Sequence, residues 1–357
     1  MKVAILWTHL SGYLNASLRA LASLPGVEIY VANQAAGADA PFSSEHFEWI
    51  PDRYEYKDRP DAARLIRELD AFRPDIIIAS WHVKAFQSAC ARFKPSAVRV
   101  ACADNQWHGN SRQRIAAATS YLHLRQFYNA VFVAGERQAI WARHMGFAEP
   151  QIWRGLYAAE VDTFSAAAAE RDLSDPAFLF AGRLVPVKGV AALATAYEAY
   201  ATAMEASGLH AWECLVAGTG PLEPLLRHPG FIKLGFVQPA DLPRLFGRAT
   251  CFVLPSLEEN WGVVVQEAAA SGLPIICTRQ CGASVHLVQD NYNGLLVEAG
   301  GADQLQAALS RISRLPADRW QQMSDGSRTL AGQFTPQRWA ATIVEKGAEL
   351  RSLLNLR

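Results

Sequence analysis

The sequence predicts an α/β protein built from two successive doubly wound domains. Three observations carry this. Short aliphatic and β-branched runs alternate with longer stretches of helical periodicity, the pattern of parallel strands joined by crossover helices. The alternation runs through twice, with the small, polar, proline-terminated stretch SAAAAERDLSDP (165–176) as the linker between the passes. And 357 residues exceed the ~250 at which a single hydrophobic core stops growing.

The first pass opens with MKVAILWTHL. Its one lysine and short apolar run have the outline of a signal peptide. The run is too short, however, and SGYLNASLRALASL follows with helical rather than cleavage-site character, so Lys2–Trp7 is read as a buried strand. A helix is expected over Leu14–Leu24, then strand Glu28–Val31, helix Asp61–Phe72 and strands Asp75–Ala79 and Val98–Cys102. A helix over Ser111–Phe127 and strand Ala130–Ala134 complete the pass. Pro74 and Pro95 each stop a helix ahead of a strand. The second pass gives strands Ala177–Ala181, Glu213–Ala217, Phe231–Leu234, Cys251–Pro255 and Ile275–Thr278. Helices Gly189–Ala206, Pro239–Arg248 and Trp261–Ser271 lie between them, and two helical stretches near 302–331 and 336–355 have no strand partners. In doubly wound sheets ligands bind outside the carboxyl ends of the strands, so two such halves place the expected site in a cleft between them.

Composition narrows the function. Thirty-four basic and thirty-four acidic side chains cancel, leaving no electrostatic footprint for DNA or RNA, although a phosphate site needs only a few cations. No apolar run approaches the ~18 residues of a membrane-spanning helix. A peripheral membrane contact needs no such helix and stays open. The six cysteines, at 90, 102, 214, 251, 277 and 281, form no CxxC pair and sit mostly in apolar runs. They read as reduced, buried thiols of a cytoplasmic protein, and no Cys/His pair follows Cys277 and Cys281 to complete a metal site.

The most informative segment is PSLEENWGVVVQEAAASGLP (255–274), which follows a buried strand and opens a helix. Asn260 is the expected N-cap. The amides of Trp261 and Gly262 would then lie at the helix start, where exposed donors and the dipole attract anions. Glu259 and Glu267 are eight residues apart, or ~12 Å in a continuous helix. That is beyond the ~5–9 Å of a carboxylate dyad. Two acids flanking an anion-binding helix start suit a ligand with hydroxyl-rich groups at both ends of a diphosphate, which describes a nucleotide sugar. An amphipathic helix with solvated glutamates is the plain alternative, but Glu267 sits inside the apolar run VVVQEAAA. In FAGRLVPVKGV (180–190) Arg183 and Lys188 emerge at a strand end beside glycines, placed either to neutralise a diphosphate or as incidental basic residues. VAGTGP (216–221), with Gly218 and Gly220, is a tight turn or a ligand loop. LGFV (234–237) ends another strand.

In this order and spacing, GRL-x3-KG, GxGP, GFV and EENWG-x4-EA resemble the retaining glycosyltransferases of family four. The resemblance covers about residues 177–300 by motif and the rest by layout. AVFVAGERQAIWARHMGF followed by VDTF (130–164) is similar to that family's end-of-first-domain pattern. The resemblance implies the GT-B fold, two facing Rossmann-like domains with an interdomain cleft. An acceptor-binding domain would span 1–168, and a nucleotide-sugar domain 169–335. A C-terminal helix at about 336–357 would pack back on the first. It also implies roles. Arg183 and Lys188 would hold the donor diphosphate. Glu259 and the backbone of Asn260, Trp261 and Gly262 would bind the donor sugar. Glu267 would bind the ribose diol, and Phe236 and Val237 would flank the base. No metal ion or other cofactor is implied, since arginine and lysine stand in for it. The partners implied are a UDP- or GDP-linked hexose donor and a glycan or lipid-linked acceptor.

The sequence departs from that family in three places. Asn260-Trp261-Gly262 replaces the usual Gly-Phe-Gly. The first loop, THLSGY, offers Gly12 alone where two glycines are usual. ACADNQWHGN (101–110) presents Asp104 nearest the position of a customary histidine, with His108 further on. Asp104 reads equally as a contact to a sugar or acceptor hydroxyl and as a turn or helix cap. His82 and His108, in loops past strands, are weaker candidates. Arg112 and Arg114 face either an acidic or lipid-phosphate acceptor or, as part of a solvated helix face, solvent. Two other readings of the same architecture are a nucleotide-sugar epimerase and a non-catalytic nucleotide-sugar-binding subunit.

Overall fold

A computed structural model describes residues 1–35, 47–169 and 171–354. It divides into two compact units, Met1–Ala158 with Phe334–Arg357, and Ala159–Gln333. In the first unit the strands are β1 (Lys2–His9), β2 (Glu28–Gln34), β3 (Arg53–Tyr56), β4 (Ile76–Ser80), β5 (Val98–Ala103), β6 (Ala130–Val133) and β7 (Ile152–Arg154). They form one parallel sheet in the order β3-β2-β1-β4-β5-β6-β7. The inner stretches of its two central strands, Val3–Leu6 and Ile76–Ala79, are aliphatic and wholly buried because helices cover both faces. The helices are α1 (Gly12–Ala22), α2 (Ala62–Phe72), α3 (Lys84–Arg92), α4 (Ser111–Ala118) and α5 (Glu136–His144).

The second unit holds the helices α6 (Val161–Ala167), α7 (Val190–Ala206), α8 (Leu242–Arg248), α9 (Val263–Ala270), α10 (Ser284–Leu287), α11 (Ala302–Ser313) and α12 (Ala317–Ala331). Its strands are β8 (Ala177–Ala181), β9 (Glu213–Ala217), β10 (Phe231–Gly235), β11 (Cys251–Leu254), β12 (Ile275–Thr278) and β13 (Gly294–Val297). They pair in parallel in the order β10-β9-β8-β11-β12-β13. In each sheet the winding reverses once, between β1 and β4 and between β8 and β11. Loops leaving those neighbouring strands run apart, which leaves a crevice at the carboxyl edge.

The last helix, α13 (Pro336–Leu353), belongs to the first unit. Buried Trp339 donates its indole N–H to the Leu156 carbonyl at 2.9 Å. Arg351 pairs with Asp75 at the foot of β4. The helix lies so close to the sheet that a Cβ on Gly347 would stand 2.1 Å from Ile76 Cδ1.

Several sequence expectations are corrected. β3, β7 and β13, all short and at sheet edges, went unread; β3 and β7 carry no aliphatic run, whereas β13, Gly-Leu-Leu-Val, does. α3 and α5 also went unread. The expected helix over Ser111–Phe127 breaks after Ala118. Thr119 turns its hydroxyl back onto the Ile115 carbonyl at 2.9 Å, and a π-helical turn over Tyr121–Arg125 follows. Pro316 divides the stretch 302–331 into α11 and α12. The expected boundary at 168/169 falls instead after Ala158. α6 packs on α8 and α9, with Phe164 edge-on to Phe246 at 5.5 Å. The stretch 165–176 is not a free linker either. Arg171 spans it to the carbonyls of Phe246, Gly247 and Ser271 at 2.8–3.2 Å and lies over Trp320.

Candidate active site

At the β8/β11 reversal the loops after the two strands are joined by main-chain and side-chain contacts. The Leu257 amide donates to the Val187 carbonyl at 2.8 Å. Gly189, at φ +71°, faces Pro255 so closely that a Cβ would meet its carbonyl oxygen at 1.9 Å. This approach brings the Lys188 ammonium onto the Glu259 carboxylate. Both side chains are largely buried, and the Ser256 hydroxyl donates to the same Glu259 oxygen at 3.4 Å. Glu259 is fixed from behind, since its carbonyl accepts the Gly282 amide at 2.9 Å and its backbone bridges to Cys281. Arg183 leaves the end of β8 on the same loop with an exposed side chain.

The helix start after Glu259 differs from expectation. Asn260 is not the N-cap, because Gly262, at φ +91°, precedes the first helical residue, Val263. Trp261 is buried beside His286, and its carbonyl accepts the Ala283 amide at 2.8 Å and the Cys281 thiol at 3.1 Å. Glycine is required at 262 by its left-handed backbone and by Cys281 Sγ, which stands 3.1 Å from where a Cβ would be.

Gly218 and Gly220 serve the packing of this edge. Cβ atoms there would stand 1.9 Å from the Gly182 carbonyl oxygen and 2.5 Å from that of Leu184. The loops after β8 and β9 extend the strand ladder through Gly182 N–H to Ala217 O and Leu184 N–H to Thr219 O. Phe236, exposed, and Val237 follow the end of β10 on the same sheet edge.

Glu267 lies one turn into α9, partly accessible. Burial of the carboxyl raises its pKa to about 7, and the carboxylate of Glu160 adds to the rise. Glu160, at the start of α6 and bonded to the Thr163 hydroxyl at 3.1 Å, escaped the sequence reading. It lies directly ahead of the VDTF motif that the reading did single out.

In the first unit a cavity of about 510 Å³ opens at the carboxyl ends of β1, β4 and β5, at that sheet's own reversal. Trp7, Tyr13, Trp81, His82, Asp104 and Tyr157 line it. Asp104 accepts a hydrogen bond from the Tyr157 hydroxyl at 3.2 Å, and Tyr13 meets Tyr157 edge-on at 5.4 Å. Asp104 does not cap α4. Asn110 does, accepting the Gln113 amide at 2.9 Å. His108 is outside the cavity lining and exposed, its amide held by the Gln113 side chain at 2.7 Å. Gly12 is the first residue of α1, and its neighbour Tyr13 takes the lining position. Sequence reasoning missed the four aromatic walls. For Trp7 and Trp81 the signal was their place at or just past a strand end. Tyr157 gave no comparable signal. Among the described residues no cluster of three or more histidine, cysteine, aspartate or glutamate side chains could hold a metal ion.

Known proteins agree with this layout. Residues 175–314, within the second unit, match the family model described as glycosyl transferases group 1. The putative teichuronic acid biosynthesis glycosyltransferase TuaC of Bacillus subtilis is 30% identical over 156 residues, 44% of this chain and 38% of that protein. The D-inositol 3-phosphate glycosyltransferase of Saccharomonospora viridis is 30% identical over 199 residues, 51% of this chain and 45% of that protein. The chain spans less than half the length of these curated relatives. Across the whole chain the fold is that of Anabaena HepE, solved in complex with UDP-glucose. The TM-score is 0.73 at 16% identity, covering 98% of this chain and 100% of that one. The architecture is thus GT-B, and the second unit carries a group 1 glycosyl transferase domain.

Proposed function

We propose that this chain, with its group 1 glycosyl transferase domain, is a retaining glycosyltransferase. It moves a hexose from a UDP- or GDP-linked donor to a glycan or lipid-linked acceptor, with no metal ion. The observation that carries the reading is the Lys188–Glu259 contact at the β8/β11 reversal. It places a cation and a carboxylate side by side at the edge where an α/β sheet takes its ligand. Lys188 and Arg183 neutralise the diphosphate, and Glu259 accepts hydroxyls of the donor sugar. Glu267 accepts the ribose diol, with Phe236 and Val237 along the base. The recess with Asp104 and Tyr157 takes the acceptor.

The bond from the anomeric carbon to the diphosphate oxygen breaks first, and charge grows on the leaving phosphate, where Lys188 and Arg183 stabilise it. The acceptor oxygen bonds to the anomeric carbon on the face the phosphate leaves. Its proton passes to a phosphate oxygen, so no protein base is consumed. HepE, solved with UDP-glucose, supports the donor class.

A thermal-shift panel of nucleotide sugars on the purified chain tests the donor site. One donor is expected to raise the melting temperature, and Lys188→Ala and Glu267→Ala each to cut that rise by most of its size. A panel in which no nucleotide sugar stabilises the wild-type chain would refute the reading.

A further inference from the structure

The recess at the carboxyl ends of β1, β4 and β5 combines aromatic walls with few polar groups. Its volume of about 510 Å³ falls within the ~300–1,000 Å³ of small-molecule sites. Trp7, at the end of the buried run of β1, is 6% exposed. Trp81 and Tyr13 are half-buried, so part of each ring stays open to the recess. Trp81 is held from behind. Its carbonyl accepts the Gln87 side-chain amide at 2.8 Å and the Tyr128 hydroxyl at 3.4 Å. Its ring meets that of buried Trp141 at 6.2 Å between centroids. A ring already in place costs a ligand little ordering.

The polar side is fixed as well. The Tyr157 hydroxyl donates to Asp104 Oδ2 at 3.2 Å. Burial, and then the neighbouring Tyr13 and Asp104, hold that hydroxyl well above its ordinary pKa, so it stays a donor. A carboxylate offers about four acceptor sites, more than this one bond takes. Ser80 and Asn105 add neutral polar groups to the lining. Among the described residues that line the recess there is no lysine or arginine.

These features select a ligand. A pyranose has a face of C–H groups, which packs on an aromatic ring, and a rim of hydroxyls, which donate to a carboxylate. An acyl chain would leave Asp104 facing hydrocarbon. A phosphate or a sugar acid would leave water with no guanidinium or ammonium group in the lining to receive it. We propose that the acceptor presents an uncharged sugar here, its apolar face against the wall of Trp81 and Tyr13 and its hydroxyls on Asp104. This narrows, and rests on, the reading of the recess as the acceptor site. Trp81 and Asp104 then set acceptor specificity, and the receiving sugar carries no phosphate, sulfate or carboxylate.

Saturation-transfer NMR on the full chain tests this, with methyl α- and β-glycosides of glucose, galactose and mannose beside the 6-phosphates of the same sugars. At least one methyl glycoside should bind saturably, and the matching 6-phosphate at least about tenfold more weakly. Trp81→Ala and Asp104→Asn should each weaken glycoside binding about tenfold, and Trp81→Phe much less. The nucleotide-sugar melting shift should stay as in wild type in all three. If Trp81→Ala melts early, Asp104→Asn and the phosphate comparison decide. The proposal is overturned if no methyl glycoside binds, if a 6-phosphate binds as tightly as its glycoside, or if Asp104→Asn and Trp81→Ala bind the glycoside as wild type does. A donor response without glycoside binding refutes the acceptor class and leaves the transferase reading standing. Glycoside binding without any donor response refutes the transferase reading, and the proposal with it.

Discussion

Burial, with the Glu160 carboxylate nearby, raises the Glu267 carboxyl to about 7, so its protonation changes across ordinary working pH. Its pKa in the folded chain lies above that of an unfolded glutamate, so folding favours the protonated form. The associated stability is fully present below the unfolded value and is lost as pH rises through about 7. Glu267→Gln keeps the shape and removes the titration. Relative to wild type, this variant should gain stability between pH 5 and pH 9, by up to about 3 kcal/mol. Denaturant unfolding at the two pH values measures this, and an unchanged difference would mean Glu267 is solvated. The Lys188–Glu259 pair obeys a different rule. Two charges brought together under cover gain from each other only while both are present, and removing one leaves the other stranded. Lys188→Ala therefore serves in donor binding only beside a melting control.

Elements in this protein are placed by close backbone approach as much as by side-chain packing. At Gly189 the approach joins the loop after β8 to the loop after β11 and sets the Lys188–Glu259 contact. Gly189→Ala puts a Cβ 1.9 Å from the Pro255 carbonyl oxygen in a left-handed conformation that non-glycine residues resist. The loop must move, at a cost of at least about 1–2 kcal/mol. Both the melting temperature and the nucleotide-sugar response should fall, while the first unit keeps its own stability. A variant that melts and binds as wild type would show that the two loops are not held together there. The VAGTGP turn teaches the same lesson from the other side. Its glycines read in sequence as a tight turn or a ligand loop, and the carbonyls of Gly182 and Leu184 leave no room for a Cβ at either position.

At the scale of the whole molecule, the chain leaves the first unit at Ala158 and returns to it at Phe334. The first core is therefore completed only by residues that follow the whole second unit in the chain. Trp339 is buried there, and Trp339→Ala should cost about 3–5 kcal/mol. Calorimetry should show the first unit's transition lowered and the second's unchanged, and two equally shifted transitions would contradict the division. Periodicity alone determined much of this architecture. Two sheets, the central strands of each and the carboxyl-edge positions of Arg183, Lys188, Glu259 and Asp104 follow from alternation of apolar runs, because buried parallel strands must be aliphatic on both faces. The short outer strands β3 and β7 carry no such demand and could not be read that way. Tertiary structure alone decided which groups meet: Lys188 with Glu259, Glu267 with Glu160, Asp104 with Tyr157, and Asn110 rather than Asp104 as the cap. Each of those partners, Asn110 apart, lies far along the chain from the group it meets or on another element. A sequence specifies local preference through near neighbours, whereas burial and charge at a site are set by whatever the fold brings across the gap.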